Sequence, residues 1–251
     1  MGSRVELIDA YEDKVKHLRG KEDAEGSRWF GFSTRARAIV IDKTAVRRDE
    51  ADTYEKLSDP RNKGRICIRS ASHPYNLSLF GGLLEHWGAQ RTENWLKGLN
   101  ANLARAPKGG DIDQIRGVGS GECSIALSNT YYIARLLSSS KPEDKLLMSK
   151  VEIIMPDQQG AGTHVNVAGG AVARYAPHRA EAIRFLEYLA SPAAQRYFAE
   201  GNYEWPAVQG VALSNTVLGA FGTFKQDKVP VSSIGMNQVK IQQMLDRVGL
   251  R

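Results

Sequence analysis

The sequence predicts an α/β fold with a mainly parallel sheet, on three observations. Short apolar runs at 65–69, 123–127 and 151–155 read as strands and alternate with helical stretches. Two of these runs end in a polar loop that opens directly into a helix. The chain, 251 residues of which 42% are hydrophobic and 25% charged, is long enough to bury a sizeable core.

The elements follow in order. To about Ser27 the chain is charged and poorly periodic; from Trp29 it turns extended, with runs at 29–32 and 37–42, the second strongly β-branched. Residues 53–57 form a short helix before the Asp59-Pro60 break. After strand 65–69 and the loop Ser70 to Pro74, a helix places Phe80, Leu83, Leu84 and Trp87 on one face, at i, i+3, i+4 and i+7. A second helix does the same with Trp95, Leu96, Leu99 and Leu103, and a third carries Ile112, Ile115 and Val118 behind an Asp111 cap. Strand 123–127 leads through Ser128, Asn129 and Thr130 into a helix from Tyr131 to about Leu137. Beyond strand 151–155, a glycine-rich joint at 160–163 enters an extended run at 165–168. The remainder is helical: Pro177 opens a helix striped by Ala182, Phe185, Leu186 and Leu189, Ser191-Pro192 starts the next, and Ile241, Met244, Leu245 and Val248 line the last.

Composition excludes several classes. The net charge of +6, from 34 basic and 28 acidic residues, is spread without a block of five like charges, so no nucleic-acid partner is expected. No run of eighteen apolar residues spans a membrane, and the N-terminus lacks the apolar stretch of a signal peptide. Cys67 and Cys123 stand alone on strand-like runs, with no zinc spacing; buried free thiols are the default and a disulfide stays open. Gly117-Val118-Gly119-Ser120-Gly121 precedes a strand instead of following one, so it reads as a helix-to-strand turn and not a dinucleotide fingerprint.

The chemistry is expected beyond the carboxyl ends of the strands, where open α/β sheets bind ligands. Three phenols fall there: Tyr75 at the start of one helix, Tyr131 and Tyr132 at the start of another. Adjacent residues opening a helix point about 100° apart, so both can border one cleft. Half-buried packing is the ordinary fate of such tyrosines. Their chemical use is as ligands to a hard, highly charged cation. Ionising one phenol at neutral pH costs about 4 kcal/mol, and three cost about 12, which only a tightly held trivalent ion offsets. Arg135, three and four residues past the pair, lies on the same helical side and favours phenolate. Ser70 and Ser72 with Asn129 are candidates to hold an anion or ordered water; His73 reads as a solvated loop residue and His164 as part of an extended joint.

Four segments carry a family resemblance. The run 125–132, ending Ser128-Asn129-Thr130-Tyr131-Tyr132, resembles the Tyr-Tyr signature of the periplasmic ferric-ion-binding proteins, and so do 29–37, 69–76 and 162–167. The likeness runs in order from about Arg28 to the C-terminus. It implies a class II periplasmic binding protein whose two lobes, joined by crossover strands, close like a hinge. Residues 38–160 would form the second lobe, carrying the ligands, and 1–37 with 161–251 the first. It implies Tyr75, Tyr131 and Tyr132 as ligands to Fe3+, an accompanying anion such as carbonate, delivery to an inner-membrane ABC permease, a periplasmic location and no enzymatic activity. The family's opening βα section, with a further ligating tyrosine, has no counterpart: Tyr11 sits in the wrong context. The chain is therefore expected to be N-terminally truncated, its first lobe incomplete and its exposed apolar edge prone to dimerise. Two rivals stay open at this point: a binder of anionic small molecules using Arg135 and helix N-termini, and an α/β enzyme with a tyrosine acid or base.

Overall fold

The computed structural model describes residues 29–250, with the backbone pairing of Glu22–Asp23 to Gly26–Ser27 ahead of them. The texture expected for residues 1–21, and Tyr11, lie outside the described residues. The chain divides into two compact units, 1–35 with 166–222 and 230–232, and 36–165 with 223–229 and 233–251.

Unit 2 is built on a sheet in the order β2–β3–β1–β4: β1 (Phe30–Asp42), β2 (Ile66–Cys67), β3 (Ile125–Asn129) and β4 (Val151–Ile154). β2 and β3 are parallel, Cys67 opposite Ala126. β1, however, runs antiparallel to both β3 and β4, with Ile39 opposite Leu127 on one side and Ile154 on the other. The mainly parallel sheet expected from alternation is thus corrected to a mixed one. The two extended runs at 29–32 and 37–42 are one strand of 13 residues, whose first part, to Arg35, belongs to unit 1.

The helices follow the apolar periodicities. α1 (Pro74–Ala101) holds the first predicted stripe and Trp95, Leu96 and Leu99 of the second, divided at Gly88, whose φ of 73° and ψ of 172° suit only glycine and break the helix between them; Leu103 lies beyond its end, in a bridge to Ile66. Trp95 packs edge-on to Phe80 and donates its indole N–H to the Tyr54 carbonyl at 2.7 Å. α2 (Asp111–Ser120) ends on Gly121 in the left-handed conformation, which makes 117–121 the helix-to-strand turn its spacing suggested. Asp111 is not its cap: Gly110 holds that position, and Asp113 accepts from the Gly110 N–H at 2.7 Å. α3 (Thr130–Leu137) and α4 (Pro142–Lys150) complete the connections to β4.

Unit 1 has a smaller core. Phe30, Phe32, Leu186 and Ala207 form it, with Phe198 and Leu189 against them. β5 (Val165–Gly170) and β6 (Trp205–Pro206) pair with β1, and α5 (Arg179–Ala190) and α6 (Pro192–Asn202) pack beside them. Ser191 caps α6, its hydroxyl accepting from Ala194 N–H at 3.3 Å. Pro177 precedes α5 instead of opening it, and Phe185, placed on the predicted stripe, is 59% exposed.

Two further expectations need correction. The last helix, α7 (Gln238–Val248), was expected with the first lobe but buries Ile241, Met244 and Leu245 in the core of unit 2, where Asn100 ties it to α1 through the Val248 carbonyl. Cys67 and Cys123 are not free thiols: they form a disulfide with Cα atoms 5.9 Å apart, possible because parallel pairing sets the start of β3 beside β2.

Candidate metal site

The adjacent parallel strands β2 and β3 each lead to a helix start that carries tyrosine. After β2 the chain turns at Ser70–His73, where His73 caps α1 by accepting the Tyr75 N–H on Nδ1 at 3.2 Å. Pro74 follows at the first helical position, where a missing N–H costs nothing. Burial, then the nearby Arg69, lowers the His73 pKa, which keeps the imidazole neutral and its Nδ1 an acceptor. After β3, Asn129 caps α3 from an extended backbone, and Tyr131 and Tyr132 sit in its first turn.

These two starts bring the phenols together. The hydroxyls of Tyr75 and Tyr131 are 2.8 Å apart, while the Tyr131 and Tyr132 rings lie 4.2 Å apart and tilted by 35°. The two rings thus lie against each other although adjacent helical positions are about 100° apart. Tyr131 is buried; Tyr75 and Tyr132 are partly exposed. Burial, then hydrogen bonding to Tyr132 and Tyr75, pushes the Tyr131 phenol well above its ordinary pKa, so it is protonated at neutral pH.

Guanidinium groups lie over all three rings. Arg135, exposed, sits 5.2 Å from the Tyr131 ring centroid and 5.7 Å from that of Tyr132. Arg69 sits 4.9 Å from that of Tyr75. A cation over a phenol face is attracted to the ring and favours its ionised form. Ser70 and Ser72 bond each other at 3.0 Å in the turn before His73. The Asn129 side-chain oxygen accepts from Arg37 at 3.1 Å.

Sequence reasoning missed the network beneath. Asp111, fully buried, accepts from Arg37 at 2.5 Å, from the Asn129 N–H at 2.7 Å and from Arg69 at 3.1 Å. Arg37 also donates to the Asn76 side chain at 2.8 Å. One carboxylate therefore fixes the strand end before Tyr131 and the arginine over Tyr75. A signal for it existed: Arg37 opens the β-branched run 37–42 that reads as a buried strand, and a charge in that place needs a partner.

The mixed α/β fold is that of the class II periplasmic binding proteins, as its superposition on solved ferric-binding proteins shows. The chain belongs to the bacterial extracellular solute-binding protein family, which it matches over residues 5–220. Among curated proteins it is similar to iron uptake protein A1 of Synechocystis sp., 43% identical over 221 residues covering 88% of this chain and 61% of that protein. It thus spans less than two thirds of that relative's length. Among solved structures it is similar to Trichodesmium IdiA (FutA) in complex with iron and citrate, at 45% identity and a TM-score of 0.89, covering 98% of this chain and 75% of that one. Apo FutA2 from Synechocystis superposes with a TM-score of 0.90 at 40% identity, covering 98% and 76%.

Proposed function

We propose that this chain binds ferric iron through the phenolates of Tyr75, Tyr131 and Tyr132 and delivers it, in the periplasm, to the permease of an ABC transporter. The observation that carries the reading is the 2.8 Å separation of the Tyr75 and Tyr131 hydroxyls. Octahedral ligands around a small hard cation, at about 2.0–2.1 Å from it, lie about 2.9 Å apart along each edge. Two phenols already share such an edge, and Tyr132 adjoins the second. Among the described residues no group of three or more His, Cys, Asp or Glu is placed to hold a metal, so the oxygen donors on offer are the phenols. An exogenous oxygen anion, carbonate or citrate, completes the coordination.

The names of the relatives support iron as the cargo and uptake as the role. Arg69 and Arg135 offset part of the cost of creating three phenolates, and the metal charge offsets the rest. Titration with chelated ferric iron tests the reading. A visible phenolate-to-iron charge-transfer band is expected, lost in Tyr131→Phe and Tyr132→Phe and weakened in Tyr75→Phe. A band that survives all three substitutions, or a colourless protein that binds citrate without iron, refutes it.

A further inference from the structure

A cavity of about 440 Å³ lies wholly within unit 2, and none of the three tyrosines lines it. That volume is within the usual range of small-molecule sites, about 300–1,000 Å³. Its apolar lining comes from Leu79, Leu83 and Trp87 of α1 with Ile154 and Met155 at the end of β4. The lining also carries the carboxylates Asp52, Glu55, Asp157 and Asp227.

Three of these carboxylates already have partners. Lys56 holds Asp52 at 2.6 Å, Arg91 holds Glu55 at 2.6 Å, and His86 holds Asp227 at 2.9 Å. Asp157 differs: its side chain has one long hydrogen bond, from the Tyr54 N–H at 3.5 Å, and no cation of the described residues within ion-pair distance. Its position is set by backbone bonds instead. Its N–H donates to the Asp52 carbonyl at 2.9 Å, and its own carbonyl accepts from Gly160 and Gly162 at 2.9 and 3.0 Å. The carboxylate is thus held at the cavity without being used by the fold.

The other titratable groups on the walls are turned to other tasks. Arg48 pairs with Glu152 at 2.6 Å, the Tyr54 hydroxyl donates to the Arg37 carbonyl at 2.6 Å, and His164 bonds the Ser78 hydroxyl at 3.0 Å. We propose that this cavity is a second ligand site, for a small organic cation that sets an ammonium group on Asp157 and a short apolar body against Leu79, Leu83 and Met155. An anion is opposed by the surplus of carboxylates. A bare divalent ion needs about six to eight oxygen donors, which a half-apolar cavity does not supply.

Proton linkage gives the site a signature. Burial, then Asp227, Asp52 and Glu55, raises the Asp157 pKa to about 6. An ammonium partner favours the ionised form, so binding near that pH releases a proton. Affinity is fully present above about pH 7 and falls roughly tenfold by about pH 5.

Calorimetry with 3-methylbutylammonium tests the proposal, with calcium and 4-methylpentanoate as competing probes. The amine is expected to bind at millimolar concentration or below, with a heat that depends on buffer ionisation near pH 6. Asp157→Asn should weaken it at least about tenfold, since a charge-assisted hydrogen bond is lost. Asparagine tolerates the positive φ of 60° at this position, so the turn is kept. Ala161→Trp, at the exposed rim, should block entry without disturbing the core. Both variants keep the ferric charge-transfer band of the parent, so the outcome is read independently of iron. No amine binding, undiminished binding in Asp157→Asn, or binding of calcium or the carboxylate in its place overturns the proposal.

Discussion

Replacing Asp111 with alanine removes the carboxylate that holds the floor of the tyrosine site together. Arg37 and Asp111 are 1% and 0% exposed, so neither charge can turn to water when the other is lost. In Asp111→Ala the Arg37 guanidinium keeps only its side-chain oxygen partners, Asn76 and Asn129, and the buried Asn129 N–H loses its acceptor. Breaking a buried pair from one side costs about 3–5 kcal/mol. At about 2–4 °C per kcal/mol for a chain of this size, the melting temperature falls by roughly 10 °C. The double variant Arg37→Met with Asp111→Leu removes both charges and fills their volume. The orphaned Asn129 N–H, about 1–3 kcal/mol, and an Arg69 without its carboxylate are costs that both variants share, so the double variant, which no longer strands Arg37, should be more stable than Asp111→Ala alone. Urea unfolding followed by tryptophan fluorescence, to which Trp95 in the core of unit 2 contributes, reads both. An Asp111→Ala variant within about 1 kcal/mol of the parent, or a double variant worse than the single one, refutes the account of a charge pair stranded by desolvation.

Ferric binding should be proton-coupled. The Tyr131 phenol is pushed above its ordinary pKa and is therefore protonated in the free protein at neutral pH, so iron must displace that proton and those of its neighbours. Apparent affinity should rise with pH by up to about a thousandfold per unit for three displaced protons, and a pH-independent affinity would show that the phenols are not ligands. Removing the disulfide in Cys67→Ala with Cys123→Ala should cost about 4 kcal/mol, from the chain entropy of a 56-residue loop; a change below about 1 kcal/mol in urea unfolding contradicts this. Gly88→Ala should cost about 1–3 kcal/mol, because its φ of 73° and ψ of 172° exclude a Cβ on conformational grounds although the space around it is open. A stabilised Gly88→Ala variant would mean the two halves of α1 run straight.

What the sequence made legible was local. Phe80 to Trp87 and Trp95 to Leu99 announce two helical faces because periodicity records which side meets the core, and the Gly88 break between them agrees. The placement of the tyrosines was legible for the same reason: Tyr75 and Tyr131 each lie at a helix start just after a strand, a relation contained in a few residues. Strand direction was not legible. The β-branched run at 37–42 shows that β1 is extended, but its antiparallel sense is decided by partners about ninety residues away, Ile125 to Asn129. The disulfide was hidden likewise, since nothing near Cys67 points to Cys123. The stripe Ile241, Met244 and Leu245 declared a buried face without saying in which unit. Asp111 was misread as a cap because a carboxylate before a helix has a familiar local use, and its real partners, Arg37 and Arg69, are distant in sequence.

The bond between Cys67 and Cys123 closes a covalent ring with Tyr75 inside it and Tyr131 and Tyr132 just beyond its rim. A protease that cuts the backbone anywhere from 68 to 122 opens the ring but releases nothing. The two pieces migrate as one species until a reductant is added, and the nicked chain keeps its three phenols on a single connected molecule.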